Sequence, residues 1–136
     1  MKKTTILALT TLLSLVIITS CSKKDSTPTP DPGYVGLWVG KYGNGATTYP
    51  TNGYTFLFRN NGTVRTFDGT DTTTAAKAEG TYTITGTTVA TTYTYVGTTS
   101  TFSTSATMDA KYTFQEGTWG SGTNTTNGGK FFLVKQ

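Results

Sequence analysis

The chain is 136 residues long, carries a formal net charge of +4, and contains no histidine and a single cysteine. Histidine general bases, Ser-His and Cys-His nucleophile pairs, zinc sites of Cys and His, and internal disulfides are therefore excluded, so no metal or cofactor is expected and the chain does not read as an enzyme. Beyond residue 32 the bases (Lys41, Arg59, Arg65, Lys77, Lys111, Lys130, Lys135) nearly balance the acids (Asp68, Asp71, Glu79, Asp109, Glu116) and are scattered, which leaves no nucleic-acid footprint.

Residues 1–20 have the order of an export signal: Lys2 and Lys3, an apolar run from Ile6 to Ile18, then the small residues Thr19 and Ser20. The run is short for a transmembrane helix. Ile18-Thr19-Ser20-Cys21 resembles the lipobox of bacterial lipoproteins. That resemblance implies cleavage before Cys21 and acylation of Cys21 by palmitate-like chains, each buried methylene contributing about 0.8 kcal/mol to membrane attachment. An ordinary secretory signal would instead leave an unpaired thiol on an exported protein. Ser22 in place of Asp resembles lipoproteins sent to an outer membrane, so a lipid-anchored position in the cell envelope is expected. Residues 21–32, with Pro28, Pro30 and Pro32 and no large apolar side chain, form an extended tether; at ~3 Å per residue it reaches roughly 35 Å.

Residues 33–136 are one domain, rich in Thr, Gly, Tyr and Phe, with no helical apolar spacing. Eight strands are predicted, over about 35–42, 54–59, 63–67, 78–84, 87–96, 101–108, 112–119 and 130–135. Asn60-Asn61-Gly62, Asp68-Gly69, Thr85-Gly86 and Asn127-Gly128-Gly129 supply turns, making successive strands antiparallel neighbours in an all-β meander. Alternation puts Tyr54, Phe56 and Phe58 on one face, with Tyr82, Ile84, Val89, Tyr93 and Tyr95 on the same core, and leaves Thr55, Thr81, Thr83, Thr92 and Thr94 on a wet face. In the last strand Phe131 and Leu133 oppose Phe132 and Val134, which predicts either cover on both sides or an exposed apolar patch.

Gly36-Leu37-Trp38, the hairpin Phe58-Arg59-Asn60-Asn61-Gly62-Thr63-Val64 and Gly80-Thr81-Tyr82-Thr83-Ile84 together resemble bacterial lipocalin-like lipoprotein domains. The resemblance implies a small up-and-down barrel with Trp38 at its closed end and Lys130 or Lys135 in the place where lipocalins often set an arginine over that tryptophan. An eight-stranded barrel is just wide enough to be filled by side chains or to hold one small ligand. The candidate ligand wall is Trp38, Phe56, Phe58 and Tyr82, with Ile84 and Val89, while Tyr93 and Tyr95 orient a polar end; the bland reading makes Trp38 plain core and the tyrosines interior filling.

The alternative architecture is a β-sandwich serving as a surface glycan-binding or adhesive module, with Trp119 as a stacking platform between Gly117 and Gly120. Against it, a bulge at Gly117 would return Trp119 to the core. Glu116 is the one acid whose predicted parity points inward. Asp71-Thr72-Thr73 resembles a short bacterial O-glycosylation motif, and the outer face of the final strand is the natural contact for a protein partner. Expected partners are thus the membrane, through the anchor, and a small apolar molecule or glycan, with the protein itself monomeric.

Overall fold

The computed structural model describes residues 33–136; the signal and tether segments, with Cys21, lie outside the described residues. Eight strands follow one another: β1 (Gly36–Tyr42), β2 (Asn52–Phe58), β3 (Thr63–Asp68), β4 (Ala76–Thr85), β5 (Thr88–Tyr95), β6 (Thr101–Met108), β7 (Phe114–Ser121) and β8 (Gly129–Lys135). Each pairs antiparallel with the next, and β8 returns to β1, with Trp38 opposite Lys135 and Tyr42 opposite Phe131. The result is a closed up-and-down barrel of lipocalin-like form. It replaces the sandwich alternative, because closure leaves no second sheet to pack on.

Period-two alternation dictates what lies inside. Trp38, Tyr54, Phe56, Phe58, Val64, Ala78, Tyr82, Val89, Tyr93, Ala106, Phe131 and Leu133 form the buried interior, while Thr81, Thr83, Thr92 and Thr107 stand in water. An apolar inside with a polar outside is the reverse of a membrane-spanning barrel. Thr55 departs from the wet-face expectation: it points outward yet is fully buried, because the β3–β4 loop folds over it and its hydroxyl donates to the Gly69 carbonyl at 2.8 Å. Phe67 is buried on the same outer side.

The two ends of the barrel are built differently. At one end the connections are tight, including the two-residue turn after Thr85, in which Gly86 has φ 60°, a torsion that glycine tolerates without strain. At the other end loops 43–51, 69–75, 96–100 and 122–128 rise above the strands. Tyr34, immediately before β1, seals the tight end. Its ring lies 4.6 Å from Phe58, 4.8 Å from Trp38 and 5.8 Å from Tyr82 between centroids. Its hydroxyl donates to Gln115 Oε1 at 2.8 Å, its carbonyl accepts from Trp38 Nε1 at 3.0 Å, and Lys135 Nζ donates to the Gly33 carbonyl beside it.

Candidate functional site

At the looped end the interior side chains stop filling the barrel and begin to border space. A cavity of about 890 Å³ opens there, walled by Tyr42, Tyr54, Tyr93, Tyr95, Phe102 and Trp119 and reaching over the β3–β4 rim to Arg65, Lys77 and Glu79. The six aromatic residues form a closed circuit. Tyr42 meets Trp119 edge-on at 5.8 Å, Trp119 meets Phe102 at 6.0 Å, Phe102 meets Tyr95 at 5.6 Å and Tyr95 meets Tyr93 at 6.2 Å. The Tyr93 and Tyr54 hydroxyls share a short hydrogen bond, and Tyr54 returns to Tyr42 at 5.1 Å.

One charged side chain shares the inward parity here: Asp68, at the end of β3, follows Val64 and Thr66 on the same face. Tyr42 Oη donates to Asp68 Oδ1 at 2.9 Å. Burial pushes the Tyr42 phenol up to about 12, with the Asp68 hydrogen bond and negative charge adding to it. Burial likewise lifts Tyr95 to about 12, again with a contribution from Asp68, and holds Tyr54 and Tyr93 well above the ordinary range. All four phenols therefore stay neutral at physiological pH, offering hydroxyls rather than charge. On the outer face of β3 and β4 Glu79 pairs with Arg65 and with Arg59 from the β2–β3 turn; burial works to raise the Glu79 carboxyl, and the two guanidiniums outweigh it and lower it.

The predicted ligand wall divides along the barrel axis. Tyr93 and Tyr95 border the cavity. Trp38, Phe56, Phe58 and Tyr82 do not: Trp38, Phe56 and Phe58 are at most 1 % exposed, they pack against one another and Tyr34, and the Tyr82 hydroxyl is used on the Arg59 carbonyl at 2.8 Å. The bland reading of Trp38 as core is the one its surroundings support. Trp119 is corrected in direction and in cause. It faces inward rather than out to a glycan, and no bulge brings it there, since the β6–β7 ladder runs unbroken from Phe102 opposite Ser121 to Met108 opposite Gln115. Phe114 and Glu116 fall on the outer face of the same strand, so Glu116 is exposed.

Sequence reasoning missed how Trp119 is seated. Its Nε1 donates to the Gly43 carbonyl at 3.1 Å, and its ring lies on Gly128, where an added Cβ would come within 2.3 Å of the indole. Gly128 is thus required by the indole rather than by a turn torsion. Tyr42, Phe102 and Asp68 were also not assigned to the site; their signal was parity with Trp38, with Tyr93 across the β5–β6 ladder, and with Val64.

Elsewhere the acids are committed to loops. Asp71 accepts from the Thr73 amide and the Thr74 hydroxyl, and Asp109 from the amides of Thr113 and Phe114 and the Thr113 hydroxyl. The last strand resolves to an exposed patch: Val134 is 41 % and Phe114 38 % exposed, with Phe114 stacked on Phe132 at 6.3 Å. Comparison of the chain with protein-family models, with curated proteins and with solved structures finds no match in any of the three.

Proposed function

We propose that this protein is a lipid-anchored lipoprotein of the cell envelope, non-enzymatic, whose barrel holds a small, largely apolar molecule in its looped mouth. The observation that carries the reading is the division between the ends: one is packed solid by Tyr34, Trp38, Phe58 and Tyr82, while the other opens into a cavity of about 890 Å³ lined by aromatic residues and by the 69–75 and 96–100 loops. That volume lies within the range of small-molecule sites, which combine apolar walls with a few oriented polar groups. Here the polar groups are the tyrosine hydroxyls and Asp68.

The absence of histidine from the sequence and the use of Asp71 and Asp109 as loop caps support a binding rather than a catalytic role. The anchoring half of the proposal rests on Cys21 and its preceding residues, and Ser22 favours the outer membrane as destination. Gly33, where the tether would join, sits beside the packed end, so an anchored barrel would present its mouth away from its attachment point.

Native mass spectrometry of the protein purified from the envelope tests the binding role: a co-purifying small molecule is expected, lost on Trp119→Ala. An unliganded spectrum from a folded domain, unchanged by added apolar compounds, would refute it. Cys21→Ala should move the protein out of the membrane fraction, and retention there would refute the anchor.

A further inference from the structure

The mouth is not merely apolar, and the charge that faces inward there is a carboxylate. Asp68 is the single ionisable carboxylate or base with inward parity among the cavity-lining residues. Arg65, Lys77 and Glu79 alternate to the outer face of β3 and β4, and Arg65 is paired with Glu79. The electrostatic influence of Asp68 reaches all four mouth tyrosines, raising Tyr42, Tyr54, Tyr93 and Tyr95. Its hydrogen-bond partner in the cup is the neutral Tyr42 hydroxyl, and it forms no ion pair among the described residues.

Asp68 is exposed at the rim, so its carboxylate stays hydrated beside a neutral apolar guest, which gains nothing from its charge. A guest bearing a positive charge cancels it. Around the carboxylate, the rings of Tyr42, Tyr95, Phe102 and Trp119 line the cavity and the tyrosines offer hydroxyl oxygens. A carboxylate beside several aromatic rings is the chemistry that recognises alkylated ammonium groups, each cation–π contact contributing roughly 0.5–2 kcal/mol as the group is desolvated.

We propose that the mouth binds an organic cation: an alkylated ammonium group seated among Tyr42, Tyr95, Phe102 and Trp119 against the Asp68 carboxylate, with its apolar remainder along the aromatic wall. The inference rests on the small-ligand reading above and narrows it to a charge class.

The test compares two probes of equal shape, benzyltrimethylammonium and its neutral carbon analogue neopentylbenzene, by calorimetry and tryptophan fluorescence on the purified protein. The cation should bind at least about tenfold more tightly, with binding weakened by added salt. Asp68→Asn keeps an acceptor for the Tyr42 hydroxyl and removes the charge; it should erase most of the preference while leaving neopentylbenzene affinity unchanged. Trp119→Ala should weaken both probes. Equal or tighter binding of neopentylbenzene would overturn the cation inference and leave the small-ligand reading standing. Unchanged cation affinity in a folded Asp68→Asn would also overturn it. Failure of both probes to bind would overturn the two together.

Discussion

Tyr34→Phe isolates one buried contact at the packed end of the barrel. The substitution keeps the ring against Trp38, Phe58 and Tyr82 and deletes only the hydroxyl that donates to Gln115 Oε1 at 2.8 Å. Tyr34 is 0 % and Gln115 1 % exposed, so water cannot replace the lost donor. Leaving a buried acceptor unpaired costs about 1–3 kcal/mol. At roughly 4–8 °C per kcal/mol for a domain of this size, a loss of ~2 kcal/mol lowers Tm by about 8–16 °C. Gln115→Met should cost a similar amount by stranding the phenol. The double variant removes both polar groups and should recover part of the loss, giving a coupling energy of about 1–2 kcal/mol. Thermal and urea unfolding of the four proteins, read by near-ultraviolet circular dichroism, measures the cycle. Additive costs, within about 0.5 kcal/mol, would show that the two groups do not act as a pair and would refute the reasoning.

Three further outcomes follow from particular contacts. Thr66 Oγ1 is the buried side-chain polar atom without a partner among the described residues, so Thr66→Val, which keeps the shape, should raise Tm by several degrees; a lower Tm in thermal melts would contradict this. Gly80→Ala would drive a Cβ to 1.9 Å from the Thr92 carbonyl oxygen and 2.6 Å from Tyr93 Cα, both backbone atoms. It should cost about 3 kcal/mol or more by urea unfolding, whereas Thr81→Ala next door, exposed on the outer face, should be close to neutral. Tyr42, Tyr82 and Tyr95 have phenols pushed up to about 12, burial being the first cause in each. Because an unfolded phenol ionises near 10, the stability these groups contribute is complete below pH 10 and is lost as pH rises toward 12. Urea midpoints should be flat from pH 8 to 9.5 and fall by pH 11, with phenolate absorbance rising as the domain unfolds; a constant midpoint through pH 11 would be the contrary result.

Much of the fold was legible because a strand repeats every two residues and this chain alternates aromatic with threonine. Tyr54-Thr55-Phe56 and Tyr93-Thr94-Tyr95 announce both the strand and its inner face. Parity, however, reports which way a side chain points and not how deep along the barrel axis it lies. Trp38 and Tyr42 share a face of β1, as do Phe58 and Tyr54 on β2, yet the first of each pair is sealed core and the second borders the cavity. Depth is set by register, here Trp38 opposite Phe56 and Lys135, and Tyr42 opposite Asn52 and Phe131. The β1–β8 seam joins the two ends of the described domain without a local turn to announce it, so closure could be expected only through resemblance. Tyr34 escaped notice for a related reason: it lies outside the strands, and its importance comes from capping Trp38, Phe58 and Tyr82, three residues that meet only once the barrel has closed.

The division between the ends has a consequence for what can change without unfolding the protein. Both termini of the described domain are fixed at the packed end, Gly33 by Lys135 Nζ and Gln136 by a 2.9 Å hydrogen bond from its backbone N–H to the Leu37 carbonyl. The connections at the mouth are all hairpin loops, and lengthening such a loop adds only about 0.6 kcal/mol per doubling in closure entropy. Loop 96–100 can therefore vary in length and composition while Tyr34, Trp38, Phe58 and Gln115 hold the barrel shut, whereas loop 69–75 is tied to Thr55 at Gly69. The inward mouth residues are less free: Trp119 is held by Gly43 and lies on Gly128, and Tyr42 is bonded to Asp68. For the proposed guest, selectivity for shape would thus reside in the loops and selectivity for charge in the strand ends, where Asp68 adds to the effect of burial on four tyrosine phenols at once.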